Sequence, residues 1–246
     1  MSNPSAGYIR STIFSIGFLG VLMFIATPLI FLMLLLRFSY QSRYRVMAYW
    51  ATFCIWWLRI TCNIRYEIQG RENIPDEPVI AFAKHQSTWE TLFLPLLTRR
   101  HQAWVLKQEL MRIPFFGWSM AAVGPIPIIR GSGRKALKLI VEAGKKYLSH
   151  GSWVVIFPEG TRVAPGEKKP FAIGGAMLAS KVEGYKVLPI AHNAGTCWPR
   201  RGFVKFSGTI NVIIGEPLDV SGMSANQINQ TLEAWMDNAM ASIEHK

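Results

Sequence analysis

The sequence predicts an α/β fold, a mixed sheet flanked by helices and preceded by N-terminal membrane helices. Three observations predict it. From Arg65 onward, short apolar runs alternate with amphipathic stretches, the pattern of strands joined by helices. Ahead of that point, Ile13 to Leu36 is a near-continuous apolar run, with no charge between Arg10 and Arg37. Half of the 246 residues are hydrophobic and only 17% are charged, against a usual ~25%. That much apolar surface excludes a disordered chain, and a single long uncharged run argues against a bundle of membrane helices. With no internal repeat or low-complexity linker, residues 1–64 read as an anchor with an interfacial helix and residues 65–246 as one domain of normal core size.

The apolar run is longer than the ~20 residues that cross a hydrocarbon core. A cleaved signal peptide would have a core of about 7–15 residues and a small-residue cleavage site, so a permanent anchor is the better reading. Arg37, Arg43 and Arg45 follow the run and only Arg10 precedes it, which places the downstream chain on the cytoplasmic side of the membrane. Pro28 lies mid-run, and either a kinked span or a re-entrant element accommodates it. Residues 44–64 bring Tyr44, Tyr49, Trp50, Trp56 and Trp57 between Arg45 and Arg59. This reads as a helix in the headgroup layer, with a Trp-rich core helix as the alternative.

In the domain, the candidate strands are Pro78–Ala83, Ala103–Lys107, Ile126–Ile129, Trp153–Phe157, Val187–Ile190, Gly202–Phe206 and Thr209–Ile214. Between Arg134 and Leu148, Leu137, Ile140, Val141, Gly144 and Leu148 fall at helical spacing, and five lysines and arginines fill the other face. Ser224 is placed to cap a terminal helix with the stripe Ile228, Leu232, Trp235, Met236, Ala239 and Ile243. Cys54, Cys62 and Cys197 are odd in number and form no C-x-x-C, so neither a disulfide framework nor a zinc site is expected. No metal or other cofactor is expected.

His85 follows the strand-like Val79-Ile80-Ala81-Phe82-Ala83 and precedes Ser87-Thr88-Trp89-Glu90, which places it at a strand-to-helix turn. Five residues apart, His85 and Glu90 cannot share a helical face, but across a turn the carboxylate can orient the imidazole. The same four residues fit a capping box, in which Glu90 only reaches back to an amide. A second candidate is Pro158-Glu159-Gly160-Thr161-Arg162, directly after the run Trp153–Phe157. Its glycine permits close backbone approach and its arginine offers a planar fork for a phosphate, while an ordinary turn with a solvated Glu–Arg pair is the plainer alternative. Lys107 and Arg130 also close apolar strands, so three cations at strand ends suggest an anion pocket. Gly117-Trp118-Ser119 approaches a nucleophile elbow but lacks the final glycine and the preceding strand. The basic helix from Arg134 lacks the aromatic interleaving of a nucleic-acid surface, and no nucleic-acid partner is expected.

Taken together, four ordered blocks resemble the lysophospholipid acyltransferase family, of the bacterial 1-acyl-glycerol-3-phosphate type. They are His85 to Glu90, Gly124 to Arg130, Pro158 to Arg162, and Val187-Leu188-Pro189-Ile190, with Lys107-x-Glu109-Leu110 between the first two. Two departures stand out: Glu90 replaces the usual Asp, and Ile-Pro-Ile-Ile replaces the aromatic-Ile-Asp run before Arg130. The resemblance implies direct acyl transfer from acyl-CoA or acyl carrier protein to lysophosphatidic acid at a phospholipid membrane. His85 would be the general base and Glu90 its orienting acid. Lys107, Arg130, Glu159, Gly160, Thr161 and Arg162 would bind substrate. Before Glu67 the chain carries six arginines and no carboxylate, so half of its +12 charge is read as anchoring and part of the rest as headgroup recognition.

Overall fold

The computed structural model of the chain describes residues 4–129 and 131–244. Helix α1 (Pro4–Val21) passes through a π turn at Leu22–Ala26 into α2 (Thr27–Leu35), so the apolar run forms one continuous rod. The π turn comes immediately before Pro28, which has no amide to offer the Phe24 carbonyl. Ser39 caps α3 (Tyr40–Cys62) by accepting the Ser42 amide at 3.2 Å. Trp50 then meets Phe18, Trp57 meets Ile13 and Cys62 meets Arg10, so α3 runs back along α1. Both readings of this segment have a counterpart. Trp50, Cys54 and Leu58 are buried against the domain, while Tyr49, Trp56 and Ile60 are exposed.

Among the described residues the domain carries seven strands: β1 (Ile64–Gln69), β2 (Ile80–Ala83), β3 (Gln102–Lys107), β4 (Ile126–Ile128), β5 (Trp153–Ile156), β6 (Val187–His192) and β7 (Gly208–Ile214). They form one sheet in the order β1-β7-β6-β2-β5-β3-β4. Only the β6–β7 pair is antiparallel, which makes the sheet mixed. The helices are α4 (Trp89–Phe93), α5 (Phe116–Ala122), α6 (Arg134–Ser149), α7 (Ile173–Ala179), α8 (Ala194–Cys197) and α9 (Ala225–Glu244).

The central strands are buried on both faces, hence their unbroken apolar runs. Period-two alternation sends Ala81, Trp153 and Val155 toward the hairpin and α4, and Phe82, Val154 and Ile156 toward α6 and α7. On that second face α6 and α7 approach closely. A Cβ at Gly144 would stand 2.5 Å from Leu178 Cδ2, so only glycine permits the contact. Ser224 and Gln227 form a reciprocal cap on α9, as the sequence predicted for Ser224.

Two strand assignments are corrected. Gly202–Phe206 is a loop: Ser11 takes the Lys205 amide, Cys197 takes that of Phe206, and the Lys205 ammonium lies over the rings of Phe14, Trp198 and Phe203. The Gly202 and Phe206 amides turn to nearby carbonyls and the Lys205 amide to α1, so the segment does not join the sheet. Conversely, Ile64–Gln69 is an edge strand on β7; it alternates apolar and polar residues but is mostly exposed and begins one residue after α3.

Candidate active site

β2 delivers the first half of the site. The Lys84 amide still bonds Ile190 O at 2.9 Å, and the chain then leaves the sheet and turns into α4. Across that turn His85 Nδ1 lies 2.7 Å from Glu90 Oε1. The same oxygen accepts the amides of Gln86 at 2.9 Å and Ser87 at 2.8 Å. Glu90 therefore fills both expected roles at once, capping the turn and holding the imidazole. Its carboxyl is fully buried, which by itself raises its pKa. The hydrogen bond from His85, the nearby His192 and His85 rings and the Ser87 amide outweigh burial and hold it below the ordinary range. An ionised Glu90 keeps the proton on Nδ1, leaving Nε2 of a neutral His85 as the acceptor. The ring stacks on Phe157 at 4.0 Å between centroids, 15° from parallel.

β5 delivers the other half. After Ile156 the chain turns tightly, with the Gly160 amide donating to Phe157 O at 2.9 Å. Gly160 has φ +66°, and nothing lies within 4 Å of the place a Cβ would take, so this turn presents bare backbone. Glu159 points the other way, into the protein. Its Oε1 accepts Lys84 Nζ at 2.6 Å and its Oε2 accepts the His85 amide at 3.2 Å. Burial pushes the Glu159 carboxyl up, and the Lys84 cation offsets this only in part.

These groups open on a cavity of about 480 Å³. Its walls are apolar and come from both halves of the chain, including Phe18, Leu22, Trp50, Leu92, Met120 and Phe157. The strand ends add His85, Lys107, Gly160 and Arg162, and Tyr44, Thr88 and Thr91 add hydroxyls. None of the ion pairs among the described residues uses Lys107 or Arg162. Burial lowers the Arg162 pKa, Glu90 opposes that, and the nearby Arg200 adds to it. Arg200 Nη1 donates to Arg162 O at 2.6 Å, which places a second cation beside the first. Of the residues expected to bind substrate, Lys107, Gly160 and Arg162 line the cavity, Glu159 and Thr161 do not, and Arg130 lies outside the described residues.

Residues 65–193 match the profile of the Acyltransferase family. A 1-acyl-sn-glycerol-3-phosphate acyltransferase of Pseudomonas aeruginosa is 43% identical over 233 residues, spanning 91% of this chain and 85% of that one. The chain belongs to the acyltransferase family. A chloroplastic 1-acyl-sn-glycerol-3-phosphate acyltransferase of Brassica napus is 32% identical over 206 residues, covering 80% of this acyltransferase and 56% of the relative. The crystal structure of the 1-acyl-sn-glycerophosphate (LPA) acyltransferase of Thermotoga maritima superimposes with a TM-score of 0.78 over 98% of each chain. At 21% identity that match speaks for the fold.

Sequence reasoning missed three residues of this acyltransferase that the fold brings to the pair. Lys84, beside His85, reaches Glu159 across 75 residues. Arg200 joins Arg162, and the His192 ring approaches Glu90 from the end of β6. The only local signal was a lysine ending an apolar strand directly before a histidine. The alternative hydrolase constellation is not assembled. The Ser119 hydroxyl is buried against Thr27 Oγ1 at 2.9 Å, His192 bonds Lys84 and Ala194, and exposed Asp219 bonds Ser221.

Proposed function

We propose that this enzyme moves a fatty acyl group from an acyl thioester, acyl-CoA or acyl carrier protein, to the free hydroxyl of 1-acyl-glycerol-3-phosphate, giving phosphatidic acid. The observation that carries this reading is the His85–Glu90 pair on the wall of an apolar cavity, beside Arg162 and Arg200, which form no ion pair among the described residues. The names of the relatives support the acceptor.

In this mechanism His85 Nε2 takes the proton of the acceptor hydroxyl, and Glu90 stabilises the resulting imidazolium. The oxygen attacks the thioester carbonyl, and Lys107 is the cation that faces the developing oxyanion. Collapse breaks the carbon–sulfur bond, and the departing thiolate takes the proton back from His85. Arg162, with Arg200 and Arg130, holds the acceptor phosphate, and Gly160 lets it approach the backbone. The apolar cavity takes an acyl chain.

The N-terminal hairpin brings the site to its lipids. Tyr8 stacks on Phe203 and Ser11 accepts the Lys205 amide near one end of the rod, while Thr27 and buried Ile30 are seated on the protein near the other. A rod held to one domain along its length is best placed within one leaflet, with Ile16, Phe24, Ile25, Leu35 and Trp56 turned to the acyl region. The six early arginines then meet anionic headgroups on the cytoplasmic face of the membrane.

Purified protein is expected to convert labelled acyl-CoA and lysophosphatidate to phosphatidate, and His85→Ala to abolish this with the circular-dichroism spectrum unchanged. Undiminished turnover by the variant refutes the mechanism.

A further inference from the structure

The mechanism above makes no use of His192, yet this residue is fully buried at the end of β6, within reach of both members of the pair. Its protonation is legible from its partners. Nδ1 accepts the Ala194 amide at 3.2 Å, so the ring proton is on Nε2, which donates to Lys84 O at 2.9 Å. That carbonyl belongs to the peptide joining Lys84 to His85. The other end of the same peptide, the His85 N–H, donates to Glu159 Oε2. A peptide unit is planar and stiff, so gripping its oxygen and its N–H from opposite sides fixes where the His85 Cα stands. The next peptide is held as well, because His85 O accepts the Val163 amide at 2.8 Å. What freedom is left to the ring is taken by Glu90 and by the Phe157 face.

His192 has a second neighbour. Glu90 Oε2 is buried and has no hydrogen-bond partner among the described residues, and the donor nearest it in the pairing pattern is His192 Nε2, at 3.9 Å. The groups around the ring are Glu90, His85 and Lys84, with Trp89 against its face. In that dry setting burial disfavours the imidazolium, so the ring serves as a neutral dipole.

We propose that His192 is a positioning residue for the acyl transfer: its neutral imidazole fixes the Lys84–His85 peptide and faces the free oxygen of Glu90, holding base and carboxylate in register. This rests on the reading of His85 as general base. The carboxylate of Glu159 completes the clamp from the other side, which accounts for its burial away from the cavity.

The test compares His192→Phe, His192→Asn and His192→Gln as full-length purified protein in detergent micelles, with wild type and His85→Ala alongside. Phe keeps a ring but no N–H. Asn stops short of the Lys84 carbonyl without adding bulk, and Gln carries an amide N–H to about the place of Nε2. Phe and Asn are expected to lower kcat on the order of 10²-fold, the cost of a misplacement of about 1 Å, with KM for lysophosphatidate and acyl-CoA unchanged. Gln is expected to restore kcat to within about tenfold of wild type. Wild-type kcat in Asn, a loss carried by KM, or Gln falling as far as Asn overturns the proposal. If Phe does not fold, Asn and Gln decide alone. An active His85→Ala removes the base reading itself, whereas an inactive His85→Ala beside an active His192→Asn removes only the clamp.

Discussion

Replacing Glu90 by glutamine deletes one charge with almost no change of shape. In the structure its Oε1 accepts from His85 Nδ1 at 2.7 Å and from the Gln86 and Ser87 amides. The glutamine oxygen can still accept those two amides, so the turn before α4 survives. What disappears is the anion facing the imidazolium that forms as the acceptor hydroxyl loses its proton. Two unit charges about 4 Å apart interact by about 4 kcal/mol at an effective dielectric near 20. Losing that in the transition state alone slows kcat by roughly 10³-fold. Glu90→Asp keeps the charge and shortens the arm, so its loss is expected to be far smaller. The assay is steady-state formation of phosphatidate by both variants, with thermal midpoints recorded. If Glu90 only caps the turn, the glutamine variant keeps both stability and kcat, and the aspartate variant, with its shorter arm, loses about 1 kcal/mol of stability at most and keeps kcat. Equal and small losses in kcat for Gln and Asp refute the catalytic role.

Arg162→Ala removes a charge-assisted contact worth about 1.5–3 kcal/mol, so KM for lysophosphatidate is expected to rise about 10- to 150-fold, with kcat nearly unchanged. Arg200→Ala should raise the same constant less, and an unchanged KM in both would remove the phosphate assignment. His101 offers a separate check on stability. Burial pushes its pKa down to about 4, although its hydrogen bond to Val123 O opposes this. The unfolded chain therefore binds the proton first, and stability is expected to fall as pH drops from about 6.5 to 4, by on the order of 3 kcal/mol in all. Urea midpoints across that range measure it, and His101→Gln should flatten the drop; an unaltered pH dependence in that variant refutes the assignment.

Much of the fold was legible because it rests on local pattern. β2, β5 and β6 are unbroken apolar runs because they are buried on both faces, and α6 and α9 show their stripes at helical spacing. The errors fall where tertiary contacts overrule that pattern. Gly202–Phe206 has the aromatic and β-branched residues of a strand, but α1 supplies Ser11 and Phe14 to occupy its amide and its lysine. β1 alternates as a strand should, Ile64-Arg65-Tyr66-Glu67-Ile68-Gln69, yet it begins one residue after α3, and the free edge of β7 is what reveals it as a strand.

The candidate site divides the same way. His85, Glu90, Gly160 and Arg162 were readable because short turns tie each to the strand before it, and turn chemistry is written in adjacent residues. The sequence by itself determined the α/β class, the apolar N-terminal run and the residue types of the pair. Only the tertiary structure decided that Glu159 meets Lys84 and the His85 amide and does not line the cavity, and that β6 contributes His192. It alone brought Arg200 beside Arg162, and it joined the hairpin and the sheet around one cavity. The physical reason is that a buried charge or N–H must find a partner, and in a parallel sheet the partners nearest in space arrive from strands dozens of residues away.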